Sequence, residues 1–133
     1  ESFGMPIPTL ETTPLTIPDP GRPRAAYMLS KIYGEALCQY SGLPFTILRP
    51  HNVYGPRMGM AHVIPELLQR AHDAPQDGRL LVFSPNHTRT FCYIDDAVEI
   101  MLRLALSPAG IGGTFNVGAA AATAGSARIT APT

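Results

Sequence analysis

Apolar side chains recur every three or four residues between residues 25 and 41, which is the spacing of an amphipathic helix. The stripe consists of Leu29, Ile32, Tyr33, Ala36, Leu37 and Tyr40. Gly42 follows at a position where helices commonly end. The pattern therefore predicts a first helix over residues 25–41, with this stripe as its core face.

Strands and loops alternate with helical stretches along the rest of the chain. The apolar run at residues 44–49 predicts a buried strand of a parallel sheet. Residues 50–56 contain two prolines and a glycine, so they predict a loop at the carboxyl end of that strand, where α/β sheets bind ligands. Further strands are predicted at residues 79–84, 89–94 and 113–118, the first two joined by the turn that starts at Pro85.

Two more helices are predicted from the same helical spacing. Residues 62–73 carry a stripe of Ile64, Leu67, Leu68 and Ala71, with Pro65 in the first turn. A third helix reaches about residue 106, with Val98, Met101, Leu102 and Ala105 on one face. Asp96 and Glu99 match a capping box at its start, and Glu99 and Arg103 have the spacing of a helical ion pair.

The two ends of the chain lack these periodic patterns. Six prolines in residues 1–24 exclude a regular helix or a central strand, so we expect a loop. Residues 119–133 are mostly Ala, Thr, Ser and Gly and predict a weakly ordered tail. The alternation of strands and helices between these two ends predicts an α/β fold in one domain, residues 1–118.

Composition excludes several classes of protein. The 133 residues are 45% hydrophobic and have a formal net charge of zero, which indicates a globular domain without the basic excess of nucleic-acid-binding proteins. No apolar run is long enough to span a membrane, and the first residues do not resemble a signal peptide. Cys38 and Cys92 lack metal-ligand spacing, so we expect no metal site and a reducing, cytoplasmic setting.

Tyr27 and Lys31 are the strongest candidates for chemistry. On a helix, residues four apart lie on one face, one turn from each other. An ammonium beside a phenol favours the phenolate form, which can exchange a proton near neutral pH. Spacing alone favours the simpler explanation, an ordinary surface pair. Gly34 lies on the same side of the helix, where a close neighbour would explain a residue that weakens helices.

The surrounding motifs carry a family resemblance. Tyr-x-x-Ser-Lys-x-x-Gly-Glu over residues 27–35 resembles the extended short-chain dehydrogenase/reductase family, which includes nucleotide-sugar epimerases, dehydratases and decarboxylases. Four further stretches fit in the same order, covering residues 1–118 in all. They are Leu48-Arg-Pro-His-Asn-Val-Tyr-Gly-Pro56, Val63-Ile-Pro65, Arg89-Thr-Phe-Cys-Tyr-Ile-Asp-Asp96 and Phe115-Asn-Val-Gly118.

The resemblance implies a cofactor, NAD, and roles for the residues next to it. Tyr27 would exchange a proton with the sugar hydroxyl that is oxidised. Lys31 would favour the phenolate of Tyr27 and hydrogen-bond the nicotinamide ribose. Pro50 would lie beside the nicotinamide. The fold implied is the carboxyl-side part of a Rossmann-like, doubly wound parallel sheet with a small substrate-binding portion.

The resemblance also implies a nucleotide-sugar site. Asn52 would hydrogen-bond the diphosphate or the sugar, although it could be only a turn residue. Arg89 would pair with the diphosphate, although it could be only a charge at a strand edge. Phe83 would pack against the base and His62 would lie near the diphosphate; for these two, a core aromatic and a surface histidine are equal alternatives. Asp96 is better explained as a helix cap than as a catalytic acid.

The chain also departs from the family pattern. It contains no Gly-x-x-Gly-x-x-Gly turn for the cofactor pyrophosphate, and the catalytic Ser or Thr would precede Glu1. Thr90 stands where the family usually has Asp, which puts a local hydrogen bond there in doubt. We therefore expect a carboxyl-side fragment, inactive alone, of an enzyme that works as a homodimer.

Three functions remain open at this point. Epimerisation of a nucleotide sugar is favoured. Dehydration or decarboxylation by the same family is the first alternative, since Glu1 occupies a position at which all three kinds of enzyme can carry Glu. A non-catalytic module that binds nucleotide sugars is the second.

Overall fold

The computed structural model describes residues 9–17, 19–74 and 89–118, which contain three α-helices and four short β-strands. The elements are α1 (Ala25–Tyr40), β1 (Ile47–Pro50), β2 (Asn52–Tyr54), α2 (Val63–Asp73), β3 (Phe91–Tyr93), α3 (Ile94–Leu106), a 3-10 turn (Pro108–Gly110) and β4 (Thr114–Val117). Helices alternating with strands confirm the predicted α/β class. The predicted strand at 79–84, the turn after it and the tail from residue 119 lie outside the described residues.

The described residues fall into two compact units. In the first unit, made of residues 9–17, 19–49 and 99–117, β1 pairs with β4. The backbone N–H of Ile47 donates to the carbonyl of Gly113 at 2.9 Å, and the Thr46 hydroxyl donates to the carbonyl of Gly110 at 2.9 Å. Ile47 and Val117 are buried, and so is Ala25 at the start of α1. This small core holds the first unit together.

In the second unit, made of residues 50–74, 89–98 and 118, β2 pairs with β3 in parallel. The register places Val53 beside Cys92 and Tyr54 beside Tyr93. Cys92 is buried, as expected for a small apolar side chain at the centre of a strand. The predicted loop at 50–56 was therefore wrong in part, because Asn52–Tyr54 is a strand. Val53 and Tyr54 favour strands, and β3 supplies their backbone partners.

Local hydrogen bonds set both ends of α1. The Asp19 carboxylate accepts from the N–H of Gly21 at 2.9 Å and closes the turn that precedes the helix. At the other end, the Ser41 hydroxyl donates to the carbonyl of Cys38 at 2.8 Å, and Gly42 follows with a φ of 72°. The left-handed backbone of Gly42 stops the helix where the sequence predicted it.

The predicted core faces of the first two helices are only partly buried. On α1, Leu29, Ile32 and Ala36 are half-buried, whereas Tyr33, Leu37 and Tyr40 are exposed. On α2, Ile64 and Leu67 are half-buried, but Leu68 and Ala71 are exposed. Those parts of the prediction were wrong for the described residues, since no described element covers the outer half of either stripe.

The start and the buried face of α3 also differ from the prediction. The helix begins at Ile94, so Asp96 lies within its first turn and is not the cap. There its carboxylate interacts favourably with the helix dipole. The more buried positions are Ala97, Ile100, Met101 and Leu104, whereas Val98, Leu102 and Ala105 are exposed. This helix has apolar side chains on several of its sides, so contacts with other segments decide which side is buried. The predicted Glu99–Arg103 ion pair is present at 2.6 Å.

None of the helices in the described part of the chain has the length and apolar character needed to cross a membrane.

Candidate functional site

Tyr27 and Lys31 lie together on one face of α1. The ammonium of Lys31 is 5.3 Å from the centroid of the Tyr27 ring, within the range of a cation–π interaction. The Tyr27 side chain is 53% exposed and Lys31 is also exposed, so a ligand can reach both. The geometry predicted from their spacing is therefore present.

A second cation that the sequence did not reveal also faces this ring. The guanidinium carbon of Arg24 is 5.3 Å from the Tyr27 centroid. Arg24 is the residue before α1 and has a left-handed backbone with a φ of 68°. A sequence pattern does not predict such a φ for arginine, so only the structure could place this side chain.

In the second unit, β-strand pairing brings Asn52 close to the segment that contains Arg89. The side-chain amide of Asn52 donates a hydrogen bond of 3.0 Å to the carbonyl of Thr90. Arg89 is the neighbouring residue, and its side chain is exposed, as is that of Asn52. Thr90 thus takes part in this hydrogen bond only through its backbone carbonyl, which any residue at position 90 would supply.

The three remaining predicted site residues differ in placement. His62 is exposed and precedes α2; its N–H donates to the carbonyl of Gly59 at 3.2 Å, and its side chain makes no capping bond. Pro50 is exposed and ends β1. Phe83 lies outside the described residues.

An apolar pocket of about 390 Å³ lies in the second unit, between the segment after β2 and the first turns of α2. Its lining is Tyr54, Gly55, Pro56, Arg57, Met58, Ile64, Pro65, Leu68 and Tyr93. Tyr54 and Tyr93 are neighbours in the β2–β3 register, with ring centroids 5.5 Å apart. Arg57 supplies the one charged side chain of a mainly apolar lining. Such a pocket accommodates an aromatic or aliphatic group beside an anionic one.

Sequence reasoning also missed an ion pair close to Lys31, between Glu35 of α1 and Arg49 of β1. Arg49 donates two hydrogen bonds to the Glu35 carboxylate, from Nε at 2.8 Å and from Nη2 at 2.6 Å. These bonds to Glu35 raise the pKa of Arg49 above its ordinary value, against the opposing effect of partial burial. The signal in the sequence was weak: a glutamate beside the helix stripe and an arginine at the end of an apolar strand.

The residues present fit one end of a dinucleotide. Exposed Tyr27 and Lys31 offer a phenol and an ammonium on one helix face, which are groups that a ribose and a carbonyl-bearing ring can meet. The sequence has no glycine-rich turn for a pyrophosphate. In the described ranges, no three His, Cys, Asp or Glu side chains come close enough to hold a metal ion.

Comparison with curated proteins finds relatives whose names refer to reactions of nucleotide sugars. It is 41% identical over 83 residues to a UDP-N-acetyl-alpha-D-glucosaminuronate decarboxylase of Bacillus cytotoxicus, covering 57% of this chain and 25% of that protein. It is 36% identical over 110 residues to a putative GDP-L-fucose synthase 2 of Oryza sativa subsp. japonica, covering 74% and 31%. The chain thus spans at most about a third of these relatives' lengths.

Comparison with solved structures finds the same kind of enzyme as comparison with curated sequences. The UDP-glucuronic acid 4-epimerase of Bacillus cereus, solved with UDP-glucuronic acid and NAD, superposes with a TM-score of 0.58 at 30% identity, over 73% of this chain and 32% of that one. Residues 2–118 match one family throughout, including the helix with Tyr27 and Lys31 and the paired strands with Asn52. Because the model of that family matches almost the whole chain, the chain belongs to the NAD dependent epimerase/dehydratase family.

Proposed function

We propose that this chain is part of an NAD-dependent enzyme that transforms a nucleotide sugar by reversible oxidation, with epimerisation as the favoured reaction. The observation that carries the proposal is the position of the Lys31 ammonium, 5.3 Å from the centroid of the exposed Tyr27 ring on one face of α1. Membership of a family described as NAD dependent supports the choice of cofactor.

The chemistry assigns a separate task to each of these residues. Bound NAD supplies the hydride acceptor. The Tyr27 oxygen accepts the proton of the sugar hydroxyl as that carbon becomes a ketone, and it returns the proton when the carbon is reduced on the opposite face. Lys31 stabilises the negative charge on the Tyr27 oxygen and hydrogen-bonds the nicotinamide ribose. Pro50 would lie beside the nicotinamide.

The nucleotide sugar binds mainly through two residues at the starts of paired strands, Asn52 at β2 and Arg89 before β3. The planar guanidinium of Arg89 suits a diphosphate, which it can meet with two parallel hydrogen bonds. The Asn52 amide keeps hydrogen-bonding capacity beyond its bond to Thr90, since it has a second N–H and a carbonyl oxygen. His62 would lie near the diphosphate, and Phe83 would pack against the base.

Two alternatives use the same residues in different ways. Decarboxylation or dehydration follows if the ketone intermediate loses carbon dioxide or water before reduction; the decarboxylase relative supports keeping this alternative open. A non-catalytic nucleotide-sugar-binding module would retain Asn52 and Arg89 without need of Tyr27.

In each case we propose a homodimer. Three exposed residues of α1 would face the second copy: Tyr33, Leu37 and Tyr40.

The test is turnover of a panel of UDP-, GDP- and dTDP-sugars by the natural polypeptide that carries these 133 residues, with NAD present. A change of configuration at one sugar carbon without loss of mass supports the epimerase. Release of carbon dioxide or water selects the alternative reactions. Binding of a nucleotide sugar without any turnover would reject the enzymatic proposal in favour of the binding module.

A further inference from the structure

Glu35 is one helical turn beyond Lys31 on α1. Side chains four residues apart on a helix are neighbours, and a lysine and a glutamate at that spacing commonly pair. Among the described residues, however, the structure records no ion pair for Lys31, and its ammonium lies at the Tyr27 ring. Another interaction therefore keeps Lys31 from pairing with Glu35, although the helix places the two side chains within reach of each other.

Arg49 accounts for the missing pair. Its Nε and Nη2 occupy both oxygens of the Glu35 carboxylate, at 2.8 and 2.6 Å. The two side chains are only 24% and 17% exposed, so water competes weakly for these bonds. A carboxylate held by both oxygens in this way has little attraction left for a lysine on its own helix.

The guanidinium is in turn held from the other side. Nη1 of Arg49 donates to the backbone carbonyl of Glu11 at 3.1 Å. The Glu11 carboxylate accepts from the N–H of Asn116 in β4, also at 3.1 Å. All three guanidinium nitrogens of Arg49 thus donate hydrogen bonds, which fixes the orientation of the guanidinium group that binds Glu35.

We propose that Arg49 is a positioning residue that keeps Glu35 from capturing Lys31, and so leaves the Lys31 ammonium at Tyr27. Its effect on catalysis rests on the proposed function; its effect on the position of Lys31 does not. Without Arg49, a largely buried carboxylate would lack a partner, and a long, flexible lysine one turn away can supply one.

The proposal predicts an asymmetry between the two members of the ion pair. Arg49→Leu releases the Glu35 carboxylate, so Lys31 moves to it and turnover by the natural polypeptide falls about tenfold or more, as part of the ~10²–10⁴-fold contribution of a positioned acid–base group. Glu35→Gln removes the competing charge, so Lys31 stays at Tyr27 and most of the turnover remains. The double variant Arg49→Leu/Glu35→Gln regains turnover relative to Arg49→Leu.

A purely structural ion pair gives the opposite pattern. If the ion pair only stabilises the packing of α1 against β1, both single variants lose turnover to the same extent. The double variant then has no more turnover than Arg49→Leu. That result would overturn the proposal. Arg103→Leu, which breaks an exposed ion pair on α3, is the matched control and should leave turnover unchanged. If Arg49→Leu does not fold, the Glu35→Gln variant decides, because its loss of turnover would also reject the proposal.

Crystal structures of the variants provide a readout that is independent of activity. In Arg49→Leu, the Lys31 ammonium should lie within about 4 Å of the Glu35 carboxylate, the range of an ion pair. A lysine that remains at the Tyr27 ring would reject the positioning role. If Lys31 moves as expected in a protein that turns over no nucleotide sugar, the positioning role stands and the proposed function fails.

Discussion

The side-chain amide of Asn52 donates a 3.0 Å hydrogen bond to the backbone carbonyl of Thr90 and thereby joins the first residue of β2 to the residue before β3. The two segments are 38 residues apart in the chain. This bond connects two candidate substrate-binding segments, since Arg89 directly precedes Thr90. The amide therefore has a structural task as well as its proposed role at the substrate.

Loss of this bond should lower stability. We expect Asn52→Ala in the natural polypeptide to reduce the free energy of unfolding by about 0.5–1.5 kcal/mol, the net contribution of one hydrogen bond. Asn52→Asp should cost at least as much, because a carboxylate cannot donate and would face the Thr90 carbonyl. Urea unfolding measures both, and an aspartate variant as stable as the parent would exclude the bond.

Tyr27→Phe should lower turnover by ~10²–10⁴-fold while leaving NAD affinity nearly unchanged, since a positioned acid–base group is lost and the ring is retained. Steady-state kinetics and cofactor titration on the natural polypeptide measure the two effects. Tyr33→Phe is the matched control, because it removes a hydroxyl from the same helix but keeps the ring that we propose faces the second copy. A Tyr27→Phe enzyme with parental turnover would remove Tyr27 from the reaction.

Arg89→Ala should weaken nucleotide-sugar binding about tenfold or more, and NAD binding much less. A hydrogen bond to a charged group contributes about 1.5–3 kcal/mol, which corresponds to this loss. Calorimetric titration with a nucleoside diphosphate is the measurement, with Arg103→Ala as a control that removes an equal charge from an exposed part of α3. An unchanged dissociation constant would place Arg89 outside the site.

Gly55→Ala should destabilise the fold by about 1–3 kcal/mol through overpacking. A methyl group at residue 55 would lie 2.4 Å from Cγ2 of Ile94 and 3.0 Å from its Cβ. Gly34→Ala is the control, because within the described residues a methyl there meets nothing within 4 Å. Alanine at 34 should raise stability by about 0.5–1 kcal/mol. Thermal melts distinguish the two, and equal shifts would contradict the packing at Gly55.

The 133-residue chain by itself should bind NAD too weakly to measure and should be catalytically silent. It carries the Tyr27 and Lys31 end of a cofactor site without a glycine-rich turn, and only five apolar side chains are buried in the described residues. Calorimetric titration and a thermal melt of this chain test the prediction. A cooperative melt combined with micromolar NAD affinity would show that these residues form a complete binding unit.

The close approach expected at Gly34 is absent from the described residues, so the sequence argument for it was wrong there. A glycine inside a helix signals either close packing or tolerance of a small loss in helix stability, and spacing cannot distinguish them. The glycine that does meet a close neighbour, Gly55, lies in a segment whose packing depends on Ile94, 39 positions further along the chain.

Local interactions allowed the sequence by itself to determine the three helices, most of the strands and the pairing of Tyr27 with Lys31. Helical periodicity and i,i+4 spacing act over one or two turns, so they are visible in a short window of residues. The ordered motifs, each within such a window, also sufficed to identify the family.

Only the tertiary structure decided which faces are buried and which charges from distant segments pair. β2 forms because β3 supplies its backbone partners, and α3 buries Ala97 and half-buries Leu104 although Val98 and Leu102 are equally apolar. Arg49 and Glu35 are 14 residues apart, and their bidentate bond depends on how α1 lies against β1. Such choices are made by contacts between distant segments, whose energies a local pattern does not contain.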